Sequence, residues 1–388
     1  MEYENDCLFL CKGITLDNND PTLIGKALAS CGFGERVGIA TDGGNFSKSL
    51  ANLLTGALTS HESQVWNFGE SFLSQFRFFI DFCSLPCGVF ISQNSASAKI
   101  RVLGKYGLPL SEKEQKNLEQ TLREKSFKHA DILSCKDVTD MTGVNMMYRR
   151  ELIRQSDAEL SEFSCNVKCE NQKISMLMED CFYKLGCKKG DDFTFKINSD
   201  GTSVCVFSRE CGWISNDRSL AIIANYEMQN GNDICVLPDA PLVLDRIAEA
   251  NGRKVLRFHG GKGDKYKILN ADTFMRDALF ASVKLMKIIE DTGKTLERLN
   301  RELPEFHISK KRISINTDGH GELFEFDNNS DVTLTEDGAI LSFPQGKVRL
   351  SRIENGKKLS IIAEAANYEF SKELCQKAEE YFKRNNRN

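Results

Sequence analysis

The feature that most constrains the fold is an alternation of strand-like and helix-like segments in the first third of the chain. Residues 37–41 form a short run rich in β-forming side chains, and the turn 42–45 (Asp-Gly-Gly-Asn) ends it. Residues 47–58 then carry apolar side chains at helical spacing. Later segments continue the alternation, with a helical pattern at 72–82 and strand-like patterns at 64–68 and 88–92. This order predicts an α/β domain, in which helices cover a mostly parallel sheet.

The same pattern recurs further along the chain. The predicted strands of this region are 192–197, 233–237 and 254–258, and the predicted helices are 219–228, 241–250 and 278–289. After Pro304 the sequence pattern changes. Short β-rich segments follow at 312–315, 332–335, 340–343 and 359–363, and then a helical pattern at 372–383. The last part of the chain is therefore predicted to be an α+β domain.

Length and charge exclude several classes of protein. A chain of 388 residues is long enough for two to four domains. A formal charge of −4 argues against a protein that binds nucleic acid through a bulk basic surface. The most apolar run, residues 76–92, is interrupted by Arg77 and Asp81, so we expect no membrane span. The acidic start lacks the basic region of a signal peptide, and we expect a cytoplasmic protein.

Fourteen cysteines are spread along the chain from Cys7 to Cys375. A chain of this length does not need a disulfide framework, so we expect neutral thiols in a reducing compartment. No C-x-x-C pair is present, and none of the five histidines belongs to an H-E-x-x-H motif. We therefore expect no structural zinc, and a cysteine-dependent redox or metal protein is a third hypothesis that rests on the cysteine count alone.

Several segments resemble the α-D-phosphohexomutases, the family of phosphoglucomutase, phosphomannomutase and phosphoglucosamine mutase. Residues 99–112, KIRVLGKYGLPLSE, are similar to the segment IKVFGPDGLPLSPEE that follows the family's phosphoserine loop. Residues 293–304, GKTLERLNRELP, resemble GKSLSELLAELP. Weaker similarity extends in order through residues 37–54, 213–226 and 276–289. The resemblance covers nearly the whole chain.

The resemblance implies three α/β domains and a C-terminal α+β domain around a cleft, with the second and third domains shortened. We expect their boundaries at residues 1–145, 146–215, 216–304 and 305–388. The family's implied reaction moves a phosphoryl group between the 1- and 6-positions of a hexose, through a phosphoserine and a bisphosphate intermediate. In the family, four loops serve this reaction: the nucleophile loop, the metal loop, the sugar-binding loop and the phosphate loop.

The nucleophile loop of the family reads T-A-S-H-N-P, and it matches the polar loop 92–97 (Ser-Gln-Asn-Ser-Ala-Ser) here. The resemblance pairs Ser92 with the threonine and Asn94 with the nucleophilic serine. Asparagine cannot carry a phosphoester. Ser95 lies one residue further on and is the alternative nucleophile if the loop is shifted.

The metal loop of the family reads D-x-D-x-D-R, and its three carboxylates bind one Mg²⁺. The matching residues here are Asn198, Asp200 and Thr202, followed by Ser203 instead of arginine. One carboxylate of three is kept, so we expect no tight Mg²⁺ binding and no cofactor unless the active alternative holds.

Two further loops of the family bind the sugar and its phosphate. Residues 267–275 are too few to contain the sugar-binding G-E-x-S-G loop. The R-P-S-G-T-E-P phosphate loop is absent from residues 349–358, which nevertheless keep cations around the turn Asn355–Gly356. The residues that we expect to bind phosphate weakly are Arg349, Ser351, Arg352 and Lys357. The alternative is a solvated hairpin with ordinary surface cations.

All four functional loops have lost the family's motifs, whereas the surrounding segments still resemble the family. The sequence therefore predicts a diverged, non-catalytic protein of this fold with a binding, regulatory or scaffold role. The expected partners are a phosphosugar or phosphate, bound weakly, or another protein, with neither nucleic acid nor membrane. The alternative is an active phosphohexomutase that uses a relocated serine.

Overall fold

The computed structural model describes residues 2–4, 8–11, 21–33, 35–129, 133–237, 239–258, 273–314, 331–335, 338–353 and 358–385. The chain forms two compact units. The first unit comprises Met1–Ile214 with Thr273–Asp291, and the second comprises Ser215–Asp272 with Thr292–Asn388. No helix in the described ranges is long and apolar enough to cross a membrane.

Nineteen strands are found among the described residues. They are β1 (Glu2–Glu4), β2 (Leu8–Cys11), β3 (Arg36–Thr41), β4 (Gln64–Glu70), β5 (Cys87–Gln93), β6 (Ala98–Leu103), β7 (Val138–Asp140), β8 (Ser164–Lys168), β9 (Lys188–Lys189), β10 (Phe193–Ile197), β11 (Val204–Ser208), β12 (Gly212–Ile214), β13 (Ile234–Val236), β14 (Val255–Arg257), β15 (His307–Ser314), β16 (Asp331–Thr335), β17 (Gly338–Phe343), β18 (Gly346–Ile353) and β19 (Lys358–Ala365).

The same residues form eleven α-helices and three short 3₁₀ helices. The α-helices are α1 (Thr22–Ser30), α2 (Asn45–Ser60), α3 (Leu73–Phe82), α4 (Glu112–Glu124), α5 (Asn145–Ser156), α6 (Gln172–Lys184), α7 (Asn216–Gln229), α8 (Val243–Ala250), α9 (Ala278–Thr292), α10 (Leu296–Arg301) and α11 (Tyr368–Asn385). The 3₁₀ helices are Lys105–Gly107, Thr142–Val144 and Thr273–Met275.

The first sheet has seven strands in the order β1-β2-β6-β5-β3-β4-β7. The four strands from β5 to the β7 edge, β5-β3-β4-β7, are parallel, and β6 pairs antiparallel with β5. The predicted strands at 37–41, 64–68 and 88–92 are confirmed as β3, β4 and β5, and the predicted helices as α2 and α3. Both faces of this sheet are covered, as expected for a central parallel sheet.

Each face of the first sheet packs against its own helices. On one face, α1 and α2 bury apolar side chains such as Leu28 and Leu50 against Ile39 and Val89. On the other face, α3 contributes a cluster of aromatic rings, and Phe79 stacks on Phe68 of β4 at a centroid distance of 5.2 Å. Helical spacing of the apolar residues in α2 and α3 accounts for this burial.

The second sheet, β12-β11-β10-β8-β9, is mixed and has one face covered by α6. Phe182 of α6 packs on Phe195 of β10 at 5.1 Å between ring centroids. The short parallel pair β13–β14 forms the third sheet, next to α7 and α8. These are the second and third α/β layers that the alternation predicts.

Helix α9 belongs to the first unit, although the sequence places it in the third domain, 216–304. Phe280 of α9 packs on Phe78 of α3 and on Tyr148 of α5. The backbone N–H of Ala278 donates to the carbonyl of Gly201 at 2.9 Å. The reason is the strongly apolar composition of this helix, which is buried on nearly every side and so needs partners from several elements.

The fourth sheet, β15-β19-β18-β17-β16, is antiparallel throughout and confirms the predicted C-terminal α+β domain. Helix α11 covers one face, where Ala378 and Phe382 pack with Val348, Leu350 and Ile361. Along β18 every second residue therefore faces this core. The residues between them, which include Arg349, face the other side of the sheet.

Candidate functional site

The loop that matches the nucleophile loop is the tight hairpin between β5 and β6. The N–H of Asn94 donates to the carbonyl of Ser97 at 2.9 Å. The side-chain Oδ1 of Asn94 accepts from the N–H groups of Ala96 and Ser97 at 2.9 and 2.8 Å. The amide thus closes the turn, a role for which asparagine is well suited and which commits its oxygen to the backbone.

Ser95 lies at the tip of this hairpin, and its side chain is exposed. No described residue forms a hydrogen bond with its hydroxyl. A serine nucleophile needs a neighbouring base to accept its proton. Among the described residues, none is hydrogen-bonded to Ser95 to act as that base. Ser92 is half-buried within β5.

The residue between them, Gln93, connects the hairpin to the start of α2. Its backbone N–H donates to Oδ2 of Asp42 at 2.6 Å, and its side-chain Oε1 accepts from the N–H of Ser47 at 3.0 Å. The other oxygen of Asp42, Oδ1, accepts from the N–H of Gly44 at 3.0 Å. A Cβ on Gly44 would lie 2.3 Å from Cδ of Gln93, so a larger residue there would displace the Gln93 side chain.

Gln93 therefore occupies the amino terminus of α2 with a neutral oxygen. The free N–H groups at a helix amino terminus favour anions, and a side-chain oxygen that bonds one of them takes that position. The sequence analysis did not identify this role. The signal that could have found it is the pair of glycines at 43 and 44, which leave room for a large side chain from β5.

The loop that matches the metal loop is also closed by its own hydrogen bonds. Oδ1 of Asn198 accepts from the N–H groups of Thr202 and Ser203 at 2.8 and 3.1 Å. Its Nδ2 donates to Oγ1 of Thr202 at 3.0 Å. Two of the three predicted ligand positions thus bond to each other, and Asp200 supplies the remaining carboxylate.

This donor set does not fit Mg²⁺. The ion prefers oxygen ligands in octahedral geometry, usually with carboxylates that balance its charge. Asn198 can offer only a neutral oxygen that is already engaged with two N–H groups. Within the described ranges, no group of three or more His, Cys, Asp or Glu side chains is placed to hold a metal.

The loop has a packing role in the first unit. The carbonyl of Asp200 accepts from the N–H of Ser74 at 3.1 Å, and that of Gly201 accepts from the N–H of Ala278 at 2.9 Å. Gly201 has a φ of +72°, and a Cβ there would lie 2.5 Å from Oγ of Ser74. The loop therefore holds the starts of α3 and α9 together.

A series of contacts within the first unit links the turn at Gly43, next to the hairpin 94–97, with the loop 198–203. The space beside Gly43 is filled by the side chain of Glu70 at the end of β4. Glu70 forms an ion pair with Lys173 at 3.1 Å. Next to it, Nδ2 of Asn171 donates to the carbonyl of Ser199 at 3.2 Å. The sequence analysis singled out neither Glu70 nor Lys173.

Two buried polar residues form a hydrogen-bonded pair close to the loop 198–203. The hydroxyl of Tyr148 donates to Oδ2 of Asp277 at 2.8 Å. Oδ1 of Asp277 accepts from the N–H groups of Leu279 and Phe280 at 2.9 and 3.4 Å, at the start of α9. Burial raises the pKa of Asp277 to about 6, against the opposing effect of these hydrogen bonds. Burial and the nearby carboxylate raise the pKa of Tyr148.

A small cavity of about 20 Å³ adjoins this pair. It is lined by Ser74, Arg77, Phe78, Asp81, Thr273, Arg276 and Asp277. Its volume is enough for about one water molecule. It is too small for a substrate.

In the second unit, three of the four predicted phosphate-binding residues lie in a strand. Arg349, Ser351 and Arg352 belong to β18, and Arg349 is only 1% exposed. Its Nε donates to Oγ of Ser351 at 3.2 Å. Arg349 is therefore buried within the sheet, and its role in phosphate binding stays a prediction. Strand alternation places its side chain between those of Ile340 and Ile362 of the neighbouring strands.

Other predicted residues cannot be placed. Lys357 and the turn Asn355–Gly356 lie outside the described residues. The same holds for the segment 263–266, which resembles a turn of the family, and for most of 267–275.

A cavity of about 280 Å³ lies on the same sheet of the second unit. It is lined by Asp239, Lys310, Lys311, Arg312, Ser360 and Ile362. Lys310 is 3.5 Å from Asp217, and Lys311 forms an ion pair with Glu379 of α11. Arg312 is exposed and forms no ion pair with a described residue. The cations that line this cavity thus all lie on β15, and the sequence analysis did not single them out.

Comparisons with known proteins agree with this architecture. Residues 16–129 match the family model "Phosphoglucomutase/phosphomannomutase, alpha/beta/alpha domain I". The chain is 25% identical over 201 residues to a "Probable phosphoglucosamine mutase" of Methanococcoides burtonii, covering 45% of each protein. It is 23% identical over 210 residues to a phosphoglucosamine mutase of Natranaerobius thermophilus, covering 47% of each. The matched region thus spans less than half the length of these curated relatives.

The similarity of structure extends further than the similarity of sequence. A phosphoglucomutase/phosphomannomutase family protein of Burkholderia thailandensis superposes with a TM-score of 0.71 at 15% identity. The superposition covers 98% of this chain and 96% of that one. At this identity, the comparison establishes the fold and leaves the chemistry to the residues of the site.

Proposed function

We propose that this chain, a distant member of the α-D-phosphohexomutase superfamily, does not transfer phosphoryl groups and has a binding, regulatory or scaffold role. The observation that carries the proposal is Asn94 at the nucleophile position. An amide cannot form the phosphoester, and its oxygen already accepts two backbone N–H groups of the hairpin. The hairpin is therefore built around asparagine and not around a phosphoserine.

The metal loop supports the same proposal. Phosphoryl transfer needs a cation that neutralises the developing charge on the phosphate oxygens. Asn198 and Thr202 are hydrogen-bonded to each other, and Asp200 alone offers a carboxylate. No step of a reaction is assigned to Mg²⁺ for this chain.

The remaining capacity that we propose is weak binding of a phosphate group. Arg312 on β15, with Ser360 on the neighbouring strand, lines the cavity of about 280 Å³. A guanidinium and a hydroxyl are suitable donors to phosphate oxygens. Asp239 also lines this cavity and opposes anion binding, and the site is open to solvent. We expect dissociation constants of ~0.1–10 mM with little preference for the sugar.

The competing hypothesis is an active phosphohexomutase that uses Ser95. The exposure of this hydroxyl favours it, because a phosphoserine must reach its substrate. The lack of a hydrogen-bond partner for this hydroxyl among the described residues speaks against it. Mass spectrometry of the protein purified from its native source distinguishes the two, since a mutase carries phosphate on its nucleophile.

The proposal is tested by two measurements on the full chain. Conversion of glucose 1-phosphate or mannose 1-phosphate is assayed with Mg²⁺ and a bisphosphate activator, and we expect none. Glucose 1-phosphate, mannose 6-phosphate and inorganic phosphate are then titrated at two ionic strengths. We expect weak binding of all three that decreases at high salt, because the cation is exposed.

Matched variants locate the binding. Arg312→Ala should weaken phosphate binding about threefold to tenfold. Arg384→Ala removes an exposed arginine of α11 and should leave it unchanged. Robust turnover that Ser95→Ala abolishes would show an active enzyme. Micromolar binding that selects one sugar would show a true phosphosugar site, and no binding at low salt would leave protein–protein interaction as the role.

A further inference from the structure

The second sheet has one face that packs in the core, and on its other face Lys168, Lys196 and Trp213 are exposed to solvent. Register assigns Phe193 and Phe195 of β10 to the core face, together with Val204 and Val206 of β11. The alternate residues of four strands share the opposite face. They are Asn166, Lys168, Thr194, Lys196, Cys205, Phe207 and Trp213.

One row of this face is aromatic. Thr194 lies opposite Phe207, which lies opposite Trp213 at the edge of the sheet. The two rings are 5.4 Å apart between centroids at an angle of 50°. The side chain of Trp213 is 52% exposed, so the indole offers a flat apolar surface to solvent. Such a surface stacks well on another planar ring.

The next row carries two cations. Lys196 lies opposite Lys168 on the neighbouring strand, and both side chains are exposed. Neither ammonium forms an ion pair with a described residue. Like charges opposite each other on neighbouring strands repel, and an anion placed between them removes that repulsion. The unpaired charge therefore favours a negatively charged ligand.

Small side chains lie between the two features. Cys205 lies opposite Lys196, and Thr194, which is 5% exposed, lies between Asn166 and Phe207. From a strand separation of ~4.8 Å and a rise of ~3.3 Å per residue, the Cα atoms of Lys196 and Trp213 are about 12 Å apart. Thr194 and Cys205, which lie between Lys196 and Trp213, have small side chains. A ligand that contacts both ends would therefore carry a planar ring at one end and anionic charge at the other.

We infer that this face binds a nucleoside di- or triphosphate, with the base stacked on Trp213 and the phosphates between Lys168 and Lys196. A simple sugar phosphate has no planar π system for the indole. A bare nucleoside has no charge for the lysines. The ligand lies on the face of the second sheet, and it undergoes no covalent step.

The fluorescence of Trp213 tests this inference. The chain has two tryptophans, so Trp66→Phe leaves Trp213 as the single reporter. Titration of this variant with ADP and ATP should give saturable quenching at millimolar or lower concentration that weakens at high salt. Adenosine and tripolyphosphate, which each carry one half of the ligand, should bind at least tenfold more weakly.

Substitutions then assign the two ends of the ligand by equilibrium dialysis, which does not depend on fluorescence. Trp213→Ala should weaken ADP binding about tenfold, whereas Trp213→Phe, which keeps an aromatic face, should retain most of it. Lys168→Ala with Lys196→Ala should weaken it about tenfold. Lys189→Ala removes a lysine of the same sheet that is ion-paired with Glu179, and it should have no effect.

Three results would overturn the inference. The first is no saturable quenching by ADP or ATP at millimolar concentration. The second is binding of adenosine as tight as that of ADP, which would show that the lysines take no part. The third is ADP binding that survives in a folded Trp213→Ala variant. Arg312 does not belong to this face. Loss of ADP binding in the Trp213 and lysine variants is therefore a separate result from loss of phosphate binding in Arg312→Ala.

Discussion

The hydroxyl of Tyr148 and the carboxylate of Asp277 are joined by a hydrogen bond of 2.8 Å in the interior of the first unit. Tyr148 is fully buried, and Asp277 is 4% exposed. The bond connects α5 to the start of α9, whose first N–H groups are bonded by the other oxygen of the same carboxylate. One buried acid thus both caps a helix and connects it to a neighbour that is distant in sequence.

This acid makes the stability of the protein depend on pH. The pKa of Asp277 is raised from 3.8 to about 6 in the folded state, so folding favours the protonated form. Its contribution to stability is fully present below about pH 4 and is lost as pH rises through 6. Asp277→Asn removes this dependence. We expect it to cost about 1–3 kcal/mol more at pH 4.5 than at pH 7.5, measured by urea unfolding at both values.

The control for this prediction is Tyr148→Phe, which keeps the ring and removes the donor. The hydroxyl stabilises the charged carboxylate, so its loss should be more destabilising at pH 7.5 than at pH 4.5. The two variants should therefore show opposite trends with pH. Parallel trends would mean that Asp277 is not the titrating group.

The hairpin at residues 94–97 should depend on asparagine for its stability. Asn94→Ala removes the two hydrogen bonds from Ala96 and Ser97, and we expect a loss of about 1 kcal/mol in the free energy of unfolding. Ser95→Ala is the matched control and should change it by less than about 0.5 kcal/mol, because this side chain is exposed. Equal effects of the two variants would contradict the role of Asn94.

Restoring a serine should not restore a mutase. Asn94→Ser introduces a hydroxyl at the nucleophile position but leaves Asp200 as the only carboxylate of the metal loop. We expect no conversion of glucose 1-phosphate by this variant, because the charge of the transferred phosphoryl group would not be neutralised. Measurable turnover would show that the scaffold still supports the chemistry.

Mg²⁺ should not stabilise the folded protein. A ligand raises stability by RT ln(1 + [L]/Kd), which is negligible when Kd exceeds the concentration added. With Asn198 and Thr202 bonded to each other, millimolar Mg²⁺ should leave the melting temperature unchanged. A clear rise in Tm that disappears in Asp200→Asn would show that the loop is a working metal site.

Two glycines should respond to alanine in opposite ways. Gly107 has a φ of +69°, and a Cβ there would lie 2.6 Å from the backbone of Arg77, so Gly107→Ala should cost roughly 2–4 kcal/mol. Gly56 lies within α2, and a Cβ would meet no atom within 4 Å. Gly56→Ala should therefore stabilise the protein by about 0.5–1 kcal/mol. Thermal unfolding of the two variants checks both values.

The local patterns of the sequence predicted most of the fold. Alternation in residues 37–92 identified β3, α2, β4, α3 and β5, and the change of pattern after Pro304 identified the C-terminal α+β domain. These features depend on the period of the apolar residues and on turn residues such as Asp42 and Gly43. They are local, and a sequence reports local properties directly.

The tertiary structure decided what local patterns do not contain. Arg349 is charged and looks like a surface cation in the sequence, but its position in β18 buries it, because neighbouring residues of a strand face opposite sides. Helix α9 follows the third sheet in sequence but packs in the first unit, because its apolar surface exceeds what one neighbour can cover. Gln93 reaches the start of α2 only once two strands and a helix are assembled. The sequence by itself determined many of the segments that form strands and helices, and it has Asn94 where the resemblance places a nucleophilic serine. Only the assembled chain decided which polar groups bond to each other and which charges face solvent, since both depend on contacts between residues far apart in the sequence.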